Sequence, residues 1–357
     1  MENFGDHVKA ALKARGMSMR SAAERMHYDV SYLSRVINGR QTPSEKLARA
    51  LDQLLGTGGA FIEMLTPPSS ADEAAVRARE SVTHLLDHDS RYGADHIASA
   101  AVQVWRSEQR RVNASSSRSL AHLSAVSELA EIAGWLLFDA NRQDEARQAF
   151  VESHLLAQQA GDKQMQWFAL DLLAMQDVQC GRAGEALSIT DELLTRPNLP
   201  PRVALLARTR RARALAQTGD RARSLTDVER ALGALEDSIS LRDPAWAWWV
   251  TEPEIVGHRG EVLLSLGDHS AAIPHLQQAS AAMPPEGRGT LYYAVAELTA
   301  FSAVGAWREC EVLLQRVATI LETVSSSRSR ARFRSAIRTI RRDGPGWLAD
   351  VAVDVAA

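Results

Sequence analysis

A small side chain recurs through the second half of this chain, at Ala146, Ala186, Ser224, Ala272 and Cys310, in steps of 40, 38, 48 and 38 residues. In a helical hairpin a small residue at the crossing point lets the two axes approach, where a large one would wedge them apart. Each hairpin then leaves an apolar face that only the next hairpin can cover, so such units stack. Runs of alternating β-branched residues are missing, and Ala, Leu, Arg, Glu and Gln dominate. The expected fold is all-α, with a curved stack of helical hairpins over residues 120–324.

The clearest unit is "HRGEVLLSLGDHSAAIPHLQQASAAMP". Its Gly260, Leu263, Gly267, Ala272, Leu276, Ala279 and Pro284 resemble a tetratricopeptide repeat. Gly134, Leu137, Ala146 and Phe150 form a second unit. Weaker ones contain Ala174, Ala186 and Leu187; Ala212, Leu215 and Gly219; and Leu298, Phe301, Gly305 and Leu314. A bare repeat of that family steps by about 34 residues, so helices or loops here are longer. The resemblance implies a solenoid whose concave wall carries Glu131, Trp135, Asp171, Met175, Arg213, Gln217, Glu261, Tyr292 and Thr299. An elongated groove with aromatic and charged residues suits a peptide or a partner helix. Ordinary solvated or core positions are the alternative for each of them.

The N-terminal segment has a different character. Phe4, Val8 and Leu12 form the stripe of a short helix, stopped by Gly16. Ser18 caps a helix over Met19–Met26, Tyr28 and Asp29 make the turn, and Asp29 caps a third helix. Leu33, Val36 and Ile37 fall on one side of that helix, with Ser31, Ser34, Arg35 and Asn38 opposite. Gly39 ends it, and Pro43 with Ser44 starts a fourth helix on Leu47, Ala50, Leu51 and Leu54. Nine Lys and Arg against six Asp and Glu put residues 1–60 at +3, which leaves −6 on the remainder of a chain whose net charge is −3. A basic head on an acidic body suits docking of one end on a polyanion.

Ser18, Ala23, Ser31, Leu33, Ser34, Val36, Gly39 and Pro43 match the register of the XRE-type helix-turn-helix, the family of the lambda and Cro repressors. The resemblance covers residues 3–56. It departs at His27, where the turn usually has Gly, and at Met19, where Gln often opens the second helix. It implies a lambda-repressor-like bundle in which Val30, Ser31 and Ser34 face base edges. Arg35 and Asn38 would reach bases or phosphates. Arg20 and Arg40 would grip phosphates, helped by Ser44 and Lys46. A plain helical bundle with a solvated polar face is the bland reading of the same residues.

The boundaries follow from composition. "TPPSSAD", residues 66–72, reads as a linker after a DNA-binding domain over 1–65. "LGTGGAF" resembles a segment that often follows the helix-turn-helix in large actinobacterial XRE regulators. Residues 73–119 read as connecting helices, with "RYGADHIASAAVQVWRSEQRRV" as one long helix. Trp246, Trp248 and Trp249 form either a ligand platform or core between hairpins. Residues 325–357 read as a basic capping helix and tail. Arg328, Arg330, Arg332, Arg334, Arg338, Arg341 and Arg342 could also touch DNA beside the site, but a polar cap is favoured.

Catalytic motifs are lacking, so neither an enzyme nor a cofactor is expected. His84 and His88 with Asp87 and Asp89 offer no third ligand at useful spacing, so no metal is expected. Cys180 and Cys310 suit small core positions. The start "MENFGDHVKA" lacks a secretory pattern, and no apolar stretch approaches the ~18 residues of a membrane span. The expected setting is cytoplasmic. The expected function is a transcriptional regulator that binds a double-stranded DNA operator as a homodimer. Its repeat domain would bind a peptide or protein ligand, a partner, or a second copy. The rival is an interaction adaptor whose helix-turn-helix is only a docking module.

Overall fold

The computed structural model describes residues 4–65, 70–114 and 119–356. Its regular elements are all helical, and no strand occurs among the described residues. Two compact units emerge, Met1–Ser70 and Ala71–Ala357.

The first unit contains α1 (Phe4–Ala14), α2 (Met19–Met26), α3 (Val30–Ile37), α4 (Glu45–Leu55) and the short α5 (Ala60–Glu63). Val8, Leu12, Ala22, Ala23, Leu33, Val36, Ile37, Leu47, Leu51, Leu55 and Phe61 make its core. On α4 it is Leu55 that is fully buried, while Leu54 is half-buried, so the buried stripe is shifted by one residue from the sequence expectation. The reason lies in "LGTGGAF". It folds back over the end of α4, and the Asp52 carboxylate accepts hydrogen bonds from Phe61 N–H and Ile62 N–H, each at 3.0 Å. Burial opposes ionisation there, but the bonds from Thr57, Phe61 and Ile62 hold Asp52 below the usual carboxylate range.

In the second unit, α6 (Ser70–Tyr92) and α7 (Ala98–Ala114) precede six helix pairs. These are α8 (Leu120–Asp139) with α9 (Gln143–Ala160), α10 (Lys163–Gln179) with α11 (Ala183–Thr195), and α12 (Pro201–Gln217) with α13 (Arg221–Gly233). They continue with α14 (Glu252–Ser265) and α15 (His269–Ala281), α16 (Arg288–Ala303) and α17 (Trp307–Leu321), then α18 (Ser327–Asp343) and α19 (Gly346–Ala356). In the first five pairs a left-handed residue closes the turn two positions before the second helix: Asn141, Gly181, Gly219, Gly267 and Gly305. Ala146, Ala186, Ser224, Ala272 and Cys310 are completely buried. Each crosses the first helix of its pair at Gly134, Ala174, Ala212, Gly260 or Leu298. A Cβ on Gly134 would lie 2.6 Å from the Phe150 ring, and one on Gly260 would lie 2.7 Å from the Leu276 side chain. The helices therefore touch as closely as the spacing predicts.

Several expectations change. The segment read as one long helix is broken: α6 ends at Tyr92, and the chain turns before α7 begins at Ala98. Residues 66–69 of the linker lie outside the described residues, and Ser70–Asp72 already belong to α6. The basic C-terminal segment is a further hairpin, α18 with α19. The long 48-residue step holds two short 3-10 turns, Glu236–Ser238 and Ala245–Trp249. There Trp246 stacks on Phe168 (4.4 Å between centroids, 6° between planes) and donates from Nε1 to Gln164 O at 3.1 Å, whereas Trp248 is 73% exposed. Finally, α8 is long and apolar enough to cross a membrane by length and composition, contrary to the sequence reading. Yet 72% of that stretch is buried, as in a core helix enclosed by its neighbours.

Candidate nucleic-acid interface and the interior wall of the repeat domain

The turn between α2 and α3 is built from local bonds. Ser18 Oγ accepts from Ser21 N–H at 3.1 Å and starts α2. His27 ends it with φ of 58°, in the left-handed region, its N–H bonded to the carbonyls of Ala23 and Glu24. That is the strained turn expected where a Gly is absent. Asp29 Oδ1 then accepts from Tyr32 N–H at 2.8 Å and starts α3.

With Leu33, Val36 and Ile37 inward, the other side of α3 is polar. Ser31 and Arg35 are exposed or partly so and Ser34 is half-buried. Arg35 donates from Nε to Gln41 Oε1 at 3.0 Å, which leaves the outer edge of its guanidinium free to meet an acceptor. Asn38 is the C-cap of α3 rather than part of its last turn, and its Nδ2 donates back to Ser34 O at 2.9 Å. Val30 is half-buried and packs on the core. Arg20, whose side chain is largely exposed, lies 3.3 Å from Glu24 one turn along α2. Arg40 and Lys46 are exposed. Ser44 caps α4 by accepting from Leu47 N–H at 3.3 Å, and Tyr32 Oη reaches it at 3.4 Å. Gln41 and Tyr32 escape sequence reasoning. Gln41 meets Arg35 across the turn after α3, where no periodicity applies, and Tyr32 was only a helix-face residue until its ring stacked near Tyr28, 6.0 Å away.

The wall residues of the repeat domain meet a different fate. Glu261 accepts from Tyr292 Oη at 2.8 Å, from Arg213 Nη2 at 3.1 Å and from Arg332 Nη1 at 2.6 Å. Burial works against its charge, but Arg332 and Arg213 hold its carboxyl at about 2. Trp135 donates from Nε1 to Asp89 Oδ2 at 2.9 Å, and Arg288 binds the same carboxylate at 2.9 Å. Asp171 pairs with Arg210 at 3.1 Å. Arg210 Nη1 lies 3.1 Å from His258, which lies 3.2 Å from Glu254. Asp139 binds Arg328 at 2.9 Å, and that guanidinium lies over Phe138 and Tyr292, 4.7 and 5.0 Å from the ring centroids. Gln217 donates to Val178 O at 2.7 Å, Thr299 to Val295 O at 2.8 Å, and Met175 is half-buried against the core. Glu131 stands apart. It is wholly buried, and neither carboxyl oxygen has a hydrogen-bond partner among the described residues. Burial, then Glu128 and Asp171, push its carboxyl well up, so it is held protonated.

The structure thus joins Arg213, Glu261 and Tyr292 in one cluster, and it sets Trp135 and Asp171 in neighbouring pairs. Their partners Asp89, Asp139, Arg210, Arg328 and Arg332 were not assigned to the wall. The one sequence signal was the four-residue spacing of Arg328 and Arg332 on one face of α18. Between them the interior keeps a cavity of only about 20 Å³, lined by Gln179, Tyr292, Val295, Arg328, Ser329 and Arg332. That is room for about one water. A shallow, open concavity of about 750 Å³ lies at one rim, bordered by Gly181–Glu185, Gln217, Thr218 and Ser265. Among the described residues no cluster of three His, Cys, Asp or Glu is placed to hold a metal ion.

Residues 3–63 match the family model of a helix-turn-helix domain. The chain thus carries a helix-turn-helix domain followed by a tetratricopeptide-like domain of stacked hairpins. No curated protein matches it. Among solved structures, PlcR of Bacillus thuringiensis in complex with the peptide PapR7 and DNA is similar at a TM-score of 0.46 and 15% identity, over 79% of this chain and 94% of that one. TTC0263, a thermophilic tetratricopeptide protein of Thermus thermophilus, is similar at a TM-score of 0.41 and 21% identity, over 59% of this chain and 99% of that one.

Proposed function

We propose that this chain is a sequence-specific, cytoplasmic transcriptional regulator of the XRE type that binds double-stranded DNA through α3. The single observation that carries the reading is the exposed polar face of α3 within a matched helix-turn-helix domain. Ser31 and Ser34 are short enough for the helix to approach the groove floor, with Val30 at its first turn. Arg35 offers its free edge to a base or phosphate, and Asn38 supports the end of the helix beside it. Arg20, Arg40, Lys46 and the α4 N-terminus at Ser44 supply phosphate attraction. One recognition helix reads few base pairs, so the protein acts as a homodimer on paired half-sites.

The repeat domain serves as the regulatory body, sensing a ligand or partner or joining the two copies. Its open rim at Gly181–Glu185 and Gln217 supports access from solvent better than the interior wall does, because most wall residues are engaged with one another. No catalytic role is assigned.

The test is binding of the full-length protein to its own upstream region and to a scrambled duplex, at several salt concentrations. Preference for the native duplex with a steep salt dependence supports the regulator. Equal, weak binding to both, unchanged in Arg35→Glu, supports the adaptor instead.

A further inference from the structure

The turn between α6 and α7 meets the turn between α17 and α18, although the two lie far apart in the chain. Ser325 N–H donates to Tyr92 O at 2.8 Å, and Asp95 N–H donates to Ser325 O at 3.1 Å. The Asp95 carboxylate accepts from Ser325 Oγ and Ser327 Oγ, each at 3.0 Å, and from Ser327 N–H at 2.9 Å. Ser327 is the first residue of α18, so Asp95 satisfies a free N–H at the start of that helix from 232 residues away. Behind this junction Arg328 reaches Asp139 on α8, and Arg288 at the start of α16 reaches Asp89 on α6.

A solenoid is held together by contacts between neighbouring hairpins. End-to-end contacts are additional to these and can open without unfolding a hairpin. We propose that this junction is a clasp that closes the repeat domain into a ring, and that its opening is the conformational step coupled to DNA binding. The helix it secures, α6, is the one that follows the DNA-binding head in the chain. A clasped α6 gives the heads of a dimer a fixed spacing. An open one removes that preorganisation, which lowers affinity for paired half-sites while leaving each single contact intact. The coupling rests on the proposed reading as a dimeric regulator.

The experiment compares full-length wild type, Asp95→Ala and Asp95→Asn. Asp95→Ala is expected to raise hydrogen exchange over residues 89–95 and 325–332 while α10 to α13 stay protected, and to increase the radius of gyration. Affinity for a duplex with two half-sites should fall at least about fivefold, with single half-site affinity unchanged. Asp95→Asn keeps an acceptor for Ser327 N–H and should recover part of each effect. Unchanged exchange in both segments overturns the clasp. An open clasp with both DNA affinities unchanged, or with an equal loss on both duplexes, overturns the coupling. If wild type binds no DNA specifically, the regulator reading fails and takes the coupling with it, while exchange and scattering still decide closure.

Discussion

The exposed side of α3 and the interior wall of the repeat domain are both polar helix faces, yet they keep their charges in opposite ways. Around α3, Arg20, Arg35 and Arg40 stand at the surface with a neighbouring acid or amide at most. On the wall, Arg210, Arg213, Arg328 and Arg332 are each bound to a carboxylate that is at least nine-tenths buried. A charge left in water remains available to a polyanion. A charge removed from water is committed to its partner, because separation strands both ions in a low dielectric. The first kind of face can recognise, and the second kind mainly shapes the domain that carries it.

The sharpest way to break that contrast is at Glu261. Glu261→Ala strands Arg213 and Arg332 and should cost about 3–5 kcal/mol. Thermal unfolding should shift down by roughly 10 °C. A loss below about 1 kcal/mol, the scale of a surface pair, would put the wall in the same class as α3.

Arg35→Glu probes the other side. It should weaken specific DNA binding about 10- to 100-fold with an unchanged melting temperature. Equal affinity in a filter-binding or fluorescence titration would show that the exposed face does not recognise DNA.

Glu131 sharpens the comparison from within. Its folded-state carboxyl is raised by burial above the ordinary value, so the stability it contributes is complete below that ordinary value and is lost as pH rises through the raised one. Glu131→Gln mimics the protonated acid and removes this loss. The variant should gain on the order of 1 kcal/mol at neutral to alkaline pH and nothing at about pH 4. A variant less stable than wild type at about pH 8 would mean that the wall holds Glu131 as an anion. The smallest effect belongs to Arg20→Ala, which should reduce the slope of log affinity against log salt by about one without altering unfolding. An unchanged slope would place Arg20 away from the phosphates.

Much of the head was legible because its signals are local. Ser18, Asp29 and Ser44 cap helices within three residues of themselves, and the inward set Leu33, Val36 and Ile37 follows from helical periodicity. The hairpin register was legible for the same reason, since Gly134 meets Phe150 within one repeat. The wall was only partly legible. Glu261, Arg213 and Tyr292 could be placed on one side of their helices, but whether that side was open depended on what faced it. Asp139 and Arg328 are 189 residues apart, and no periodicity connects them.

By itself, then, the amino-acid sequence determined the helices, their caps, the hairpin crossings and the polar side of α3, all of which depend on residues close in the chain. Tertiary structure alone decided that α6 breaks at Gly93, that Asp95 reaches the start of α18, and that the interior arginines are consumed by buried carboxylates. The physical reason is curvature. Small rotations between successive hairpins accumulate until the last pair returns to the first helices, and only their sum decides which charges meet.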